Sequence, residues 1–261
     1  MAANEPGQPG LSDAPNGDRF SIDLPTPSVA LAIGAHPDDV EFGAGGTLAK
    51  WSAAGCLVHH LVCTDGSKGT WDPHADTAAL VVTRQHEQRA AARALGATGQ
   101  VVFLGWPDGE LESGLRQRWE VAYWIRRLRP AVVLGHDPWK RYRLHPDHRH
   151  AGLLACDGIV AARDPHFFPE QQLPHHRPET LLLWEADQPD HAEDVSGCVD
   201  RKLGALEAHE SQFESTMKAG DQDLHPEQMA AFRERVRARL ADNGAHAGLT
   251  SAELFKRISD L

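Results

Sequence analysis

Val29-Ala30-Leu31-Ala32-Ile33-Gly34-Ala35-His36-Pro37-Asp38-Asp39 is the stretch on which the fold turns. Its first six residues carry no charge and do not alternate, the pattern of a strand buried on both faces. The run then breaks into a histidine, a proline and two aspartates. A second cluster, His145-Pro146-Asp147-His148, shortly follows another apolar run, Ala131-Val132-Val133-Leu134. Each cluster sets metal-competent or proton-transferring groups three residues apart around a proline. Two clusters about a hundred residues apart, both just past the carboxyl ends of expected strands, read as two halves of one hydrolytic metal site. The chain is therefore expected to be an enzyme.

Working outward, Leu57 to Thr64 and Val101 to Leu104 are two further strands, and Thr180 to Trp184 is another. Between them, Gly45-Gly46-Thr47 is expected to open an amphipathic segment that Gly55 stops, Leu80 to Leu95 a long helix ending at Gly96, and Gln117 to Leu128 a third helix. A β-α-β-α rhythm with apolar strands implies an α/β fold: a Rossmann-like sandwich with a mainly parallel sheet covered by helices on both faces. Further on, residues 164–178 read as a loop, and Val195 to Phe213 and Pro226 to Asn243 as helices that cover the site or build an oligomer contact. Residues 1–27, rich in Gly, Pro, Asn, Asp and Ala, read as a flexible arm. A single domain over 28–261 follows, since no internal linker is visible in 261 residues.

In such sheets ligands bind beyond the strand ends where neighbouring crossovers diverge. His36 closes the first of these strands and His136 the fourth, and the common order 3-2-1-4 lays those two side by side. The glycines at 43, 45 and 46 do not make a dinucleotide fingerprint: their spacing is wrong, and the loop's carboxylates would lie where a pyrophosphate belongs.

A net charge of -11 argues against a nucleic-acid or anionic-membrane partner, both of which need a basic patch, and favours a neutral or cationic substrate. No apolar run approaches the roughly 20 residues of a membrane span, and the amino terminus lacks the basic and apolar regions of a secretory signal. A cytoplasmic location is expected. The four cysteines show no Cys-x-x-Cys spacing and read as small buried hydrophobes.

The motifs A-H-P-D-D-V-E-F-G-A-G-G-T-L, T-D-G-S-K-G-T, F-L-G-W-P-D-G, H-P-D-H-R-H-A-G and D-R-K-L-G-A-L-E-A-H-E-S-Q, spread over roughly residues 28–215, resemble those of the PIG-L/LmbE-like family of metal-dependent de-N-acetylases. The resemblance implies hydrolysis of the N-acetyl amide of an N-acetylglucosamine-type conjugate. It implies a small aminosugar conjugate as partner, a homo-oligomer, and Zn2+ or Fe2+ as the ion. Cleavage of mycothiol S-conjugates or of a natural-product amide is the neighbouring alternative, and a non-catalytic metal or carbohydrate-binding module a more distant one.

Residue by residue, the resemblance implies His36, Asp39 and His148 as metal ligands, a set that suits zinc and iron(II) alike. Asp38 matches the general base, with capping of the following amides as its bland alternative. His145 matches the histidine that meets the scissile carbonyl as an imidazolium, and Asp147 is expected to orient it or to cap a helix beginning near His148. Arg84 and Asp108 match positions that hold sugar hydroxyls, although Arg84 also reads as a solvated helix-face arginine. His136 reads as a substrate contact or a support to the ligands. Some relatives carry a tyrosine two residues before the second-motif histidine; here that position is Arg143, with Tyr142 displaced by one.

Overall fold

A computed structural model describes residues 20–219 and 226–261. Eight strands form one sheet: β1 (Ser21–Ile22), β2 (Val29–Gly34), β3 (Leu57–Thr64), β4 (Val101–Trp106), β5 (Val132–His136), β6 (Thr180–Trp184), β7 (His191–Asp194) and β8 (Ala252–Ser259). Their order is β1-β7-β8-β6-β5-β2-β3-β4. β6, β5, β2, β3 and β4 run parallel, while β8 is antiparallel to both of its neighbours, β6 and β7. The helices are α1 (Asp39–Ala53), α2 (Thr77–Ala94), α3 (Leu115–Leu128), α4 (Pro146–Arg163), α5 (Val199–Glu207) and α6 (Pro226–Ala247).

Side chains alternate across a strand, and β2 uses the alternation to serve two cores. Leu31 and Ile33 pack with Val121 and Ile125 of α3 and Leu154 of α4. Ala30 and Ala32 face the other way, toward Leu48 and Trp51 of α1 and Ala91 of α2. The expected parallel sandwich is therefore present, with β5 and β2 paired in register Ile33 to Gly135, so the chain leaves both strands at the same edge of the sheet.

Several boundaries differ from the sequence reading. α1 begins at Asp39 rather than at Gly45, and Ala44 (φ -143°, ψ 15°) interrupts it. The glycines there serve close packing: a Cβ on Gly43 would sit 2.4 Å from the Trp184 ring, and one on Gly46 would sit 2.8 Å from Val195. α2 starts earlier than expected because Asp76 caps it, accepting from the amides of Ala78 and Ala79. The helix expected over Val195 to Phe213 is α5 followed by a 3-10 turn at Glu210–Gln212.

The arm expected over residues 1–27 is corrected in part. Ser21 and Ile22 pair with β7, and the Lys50 ammonium binds the Asp23 carboxylate at 2.7 Å; residues 1–19 lie outside the described residues. β7 and β8 escaped the sequence reading because neither is apolar: His191 and Glu193 are fully buried but bonded to each other at 2.9 Å. All four cysteines are free, and burial raises the Cys56 thiol to about 11. Among the described residues, no helix is long and apolar enough to cross a membrane.

Candidate active site

The β2–α1 turn is built around a strained residue. Asp38 has φ 99° and ψ -27°, a left-handed conformation that costs a non-glycine residue about 1–3 kcal/mol and persists only where the surroundings enforce it. Its side chain caps nothing, so the bland alternative of a capping carboxylate fails. Oδ2 is buried and without a hydrogen-bond partner. Burial, with the negative charge of Asp39 beside it, raises the carboxyl to about 6 against the lowering effect of Arg84.

His36 stands at the centre of the carboxylates. Its backbone N–H donates to Asp39 Oδ2 at 2.7 Å. Ring atom Nε2 lies 3.0 Å from Asp147 Oδ2 and 3.2 Å from Asp108 Oδ1, while Nδ1 lies 3.4 Å from Asp39 Oδ2. A ring that donates Nε2–H to carboxylates presents the Nδ1 lone pair on its other side. Burial opposes a charge on this ring, but Asp108, Asp147 and Asp39 outweigh it and raise its pKa well above the ordinary range. Asp39 in turn is held well below the carboxylate range: burial works against its charge, and His148, His136 and His36 overcome it.

His148 Nε2 approaches Asp39 Oδ1 at 3.3 Å, and burial pushes this imidazole down to about 4, leaving it neutral at pH 7. His36, Asp39 and His148 each offer one donor atom within 4.8 Å of the others, and so do His36, Asp108, His145 and Asp147. A divalent cation fits this donor set. Four buried carboxylates, Asp38, Asp39, Asp108 and Asp147, converge here, and a cation beside Nδ1 would replace the proton that they now stabilise on His36. Arg143 Nη1 donates to His148 Nδ1 at 2.8 Å, so a cation on Nε2 requires that proton to leave and Arg143 to release the ring.

Other expected residues are brought to the site but hold different partners. Asp147 is fully buried and bonds His36, not His145; it also accepts from the amides of Gly109 at 2.6 Å and Leu111 at 3.2 Å. Nor does it cap: α4 starts at Pro146 and His145 is the cap residue. The physical reason is that the β4–α3 loop arrives over the first turn of α4 and needs an acceptor for its two amides. His145 sits exposed at the rim, its ring 4.7 Å from that of His36 and 4.8 Å from that of His148. Partial burial and the charge of His36 lower its pKa, which works against the expected imidazolium.

Arg84 is buried rather than solvated, and it reaches the cleft wall with its guanidinium engaged by the turn. It is 3% exposed, donates to the Pro37 carbonyl at 2.6 Å and the Gly66 carbonyl at 2.9 Å, and lies 3.6 Å from Asp38 Oδ2. Asp108 accepts from the Lys68 amide as well as facing His36. His136 accepts from Trp184 Nε1 at 2.9 Å and approaches Asp39 Oδ2 at 3.2 Å, which makes it a support to the Asp39 carboxylate. Tyr142 is 87% exposed, and Arg143 is spent on His148 and on Glu185 Oε2 at 2.6 Å.

His36, Asp38, Asp39, His145 and His148 line a cleft of about 490 Å³ to whose wall Gln212, Ser215, Thr216 and Arg239 also contribute. The segment after α5 and α6 thus cover the site as expected, whereas the 164–178 loop does not line it; Arg126 ties that loop to α3 and α4 through the carbonyls of Ala161, Asp164 and Phe167. A second hollow of about 410 Å³ shares Phe42, Glu185 and Arg239 with the cleft and brings Lys140, Lys218 and Arg235 to its wall. Glu185, Gln212 and Arg239 were not anticipated, since they come from segments with no local metal or proton-transfer pattern.

Comparison with known proteins agrees with this geometry. Residues 31–158 match the PIG-L family, described as GlcNAc-PI de-N-acetylase. The diacetylchitobiose deacetylase of Thermococcus kodakarensis is 36% identical over 199 residues, covering 74% of this chain and 74% of that one. A 1D-myo-inositol 2-acetamido-2-deoxy-alpha-D-glucopyranoside deacetylase of Streptomyces avermitilis is 33% identical over 177 residues, 58% of this chain and 59% of its own length. The solved structure of N,N'-diacetylchitobiose deacetylase from Pyrococcus horikoshii superposes with a TM-score of 0.80 at 27% identity, covering 89% of this chain and 84% of that one. The chain belongs to the PIG-L family.

Proposed function

We propose that this protein is a zinc-dependent hydrolase that removes the N-acetyl group from an N-acetylglucosamine-type conjugate, releasing acetate and a free amine. The observation that carries the reading is the assembly of His36, Asp39 and His148 beside a buried Asp38 carboxylate oxygen that accepts no hydrogen bond. Those three residues would hold a divalent ion, which would supply polarisation of the amide carbonyl and lower the pKa of water from about 15.7 toward about 7.

The remaining steps belong to the chain itself. Asp38, with a pKa near the working pH, takes a proton from the water that adds to the acetyl carbon. Asp39 does not share that role, because His136 and His36 favour its ionised form. His145 at the rim offers a ring N–H to the carbonyl oxygen as negative charge develops there. The carbon–nitrogen bond then breaks, and the proton held by Asp38 passes to the departing amine nitrogen. Asp147 and His136 fix His36 and Asp39 from behind. The second hollow leaves room beyond the acetamido sugar, which favours a conjugate over the free monosaccharide.

The test is an acetate-release and amine-detection screen on protein stripped of metal and then reloaded with one equivalent of zinc. N-acetylglucosamine, diacetylchitobiose and N-acetylglucosaminyl-inositol are the substrates. Hydrolysis of at least one, abolished by chelation and restored by zinc, is expected. Failure of verified zinc-loaded protein on all N-acetylated sugars, with cleavage of bulky amides instead, would transfer the reading to the neighbouring amidase reaction.

A further inference from the structure

Beneath the Asp38 turn lie four polar side chains that the proposed reaction does not use. Glu41 of α1, His60 of β3, Gln88 of α2 and His209 after α5 are each 0% exposed. His209 belongs to the D-R-K-L-G-A-L-E-A-H-E-S-Q motif, which otherwise touches the cleft only through Gln212. A buried polar cluster of this size is costly unless its members satisfy one another, and each of these four reaches another member.

The contacts form a directed chain that ends on the strained peptide. The Asp38 N–H donates to Gln88 Oε1 at 2.9 Å, and Arg84 Nη2 donates to the Pro37 carbonyl at 2.6 Å. Those two groups are the two ends of one peptide unit. Arg84 and Gln88 stand four apart on α2 and therefore share a face, so a single helix face grips the Pro37–Asp38 peptide at both ends. The orientation of that peptide plane is what sets φ at Asp38.

Gln88 can grip only one way round. Its Nε2 donates to Glu41 Oε1 at 2.7 Å and reaches His60 Nδ1 at 3.2 Å. A backbone N–H can only donate, so Oε1 must face the Asp38 amide and Nε2 is left to face Glu41. Glu41 Oε2 accepts no hydrogen bond, and its link to the next member is an ion-pair approach to His209 Nε2 at 3.4 Å. A lone anion this deep would be unstable, and removing one partner of a buried pair leaves the other uncompensated. Burial lowers the pKa of His209, but Glu41 and Asp38 more than offset it.

We propose that Gln88 and His209 are positioning residues for Asp38: His209 fixes Glu41, Glu41 fixes the amide of Gln88, and Gln88 with Arg84 clamps the Pro37–Asp38 peptide so that Asp38 is held in its left-handed conformation with Oδ2 free of hydrogen bonds. Neither residue touches the substrate. The proposal rests on Asp38 being the base, and its first readout is independent of activity.

The experiment compares the zinc-loaded full chain with His209→Gln, Gln88→Met and the double variant Glu41→Gln/His209→Gln. It uses residue-resolved amide hydrogen exchange at Asp38, zinc content, thermal unfolding and steady-state kinetics. In His209→Gln the Asp38 amide should exchange at least about tenfold faster while the β2 and β5 amides stay protected and zinc content is unchanged. kcat should fall about 10- to 100-fold with KM nearly constant, because a misaimed base affects the transition state alone. In the double variant two neutral amides can rebuild the donor direction, the amide introduced at position 209 accepting from the one introduced at position 41, so most of the lost kcat should return. Gln88→Met should reproduce the loss with no rescue, and it carries the test alone if His209→Gln does not fold. Unchanged exchange at Asp38, faster exchange with unchanged kcat, or a kcat loss matched by general loss of core protection and zinc would each overturn the proposal. If the unaltered protein hydrolyses no acetamide, the functional reading fails, while the exchange result still decides the clamp.

Discussion

Replacing Asp147 by asparagine separates the geometry seen here from the simpler expectation that this carboxylate serves His145. Asp147 has no exposed surface and accepts three hydrogen bonds, from His36 Nε2 at 3.0 Å, Gly109 N at 2.6 Å and Leu111 N at 3.2 Å. An asparagine keeps its oxygen best at the Oδ2 position, where two of those donors meet. Its NH2 then faces the Leu111 N–H, and two buried donors opposed in this way cost about 1–3 kcal/mol of stability. At His36 a neutral amide oxygen replaces a carboxylate, which weakens a charge-assisted bond by roughly half. The Nε2–H tautomer that leaves Nδ1 free for a cation is then less well enforced. Loss of such an outer carboxylate typically lowers metal affinity about 10- to 100-fold, or roughly 1.4–2.7 kcal/mol. Competition with a chromophoric chelator measures the zinc affinity, and thermal unfolding of metal-free protein reads the stability term. Zinc affinity within about threefold of the unaltered protein, combined with a fall in turnover, would refute this role and return Asp147 to His145.

Asp38→Asn should keep its zinc but lose turnover by about 10²- to 10⁴-fold, because the amide preserves size but cannot take a proton; a variant that loses zinc instead would show that Asp38 and Asp39 have exchanged roles. Since the Asp38 carboxyl is raised to about 6, its proton-accepting form is lost as pH falls through that value. A cation beside Asp39 can only lower it, so the acid limb of kcat/KM should lie at or below about pH 6, and a limb above pH 7 would assign it to another group. Gly43→Ala would drive a Cβ to 2.4 Å from the Trp184 ring, which also holds His136; a loss of about 1–3 kcal/mol is expected for overpacking a rigid ring. Thermal unfolding checks it, and an unchanged Tm would mean that the ring can retreat.

Much of the site was legible because its chemistry is local. His36 and Asp39 lie three apart at the end of an apolar strand, and His145 and His148 three apart at the start of a helix, so each half announces itself within a few residues. The same locality misled where the partner was distant. Asp147 adjoins its histidines in sequence, yet it serves a residue 111 positions away, because a loop from between β4 and α3 crosses over it. Arg84 carries a charge that reads as solvent-facing on a helix, but the Pro37 and Gly66 carbonyls take both ends of its guanidinium. Glu41 fell before the helix expected from Gly45 and His60 within an apolar strand; only their convergence with Gln88 and His209 gives them a function.

What the sequence by itself determined is what backbone periodicity and short spacings encode: five parallel strands, the helices between them, the order that places β2 beside β5, and the paired histidine–aspartate clusters. Hydrophobic burial acts over a few residues at a time, so its pattern is written in the chain. Only the tertiary structure decided which carboxylate faces which imidazole, that Asp38 is strained with Oδ2 free of hydrogen bonds, and that β7 and β8 close the sheet with buried charges. Those outcomes depend on pairings between groups tens to hundreds of residues apart, and the free energy of a buried charge is set by the partner it finds rather than by its neighbours along the chain.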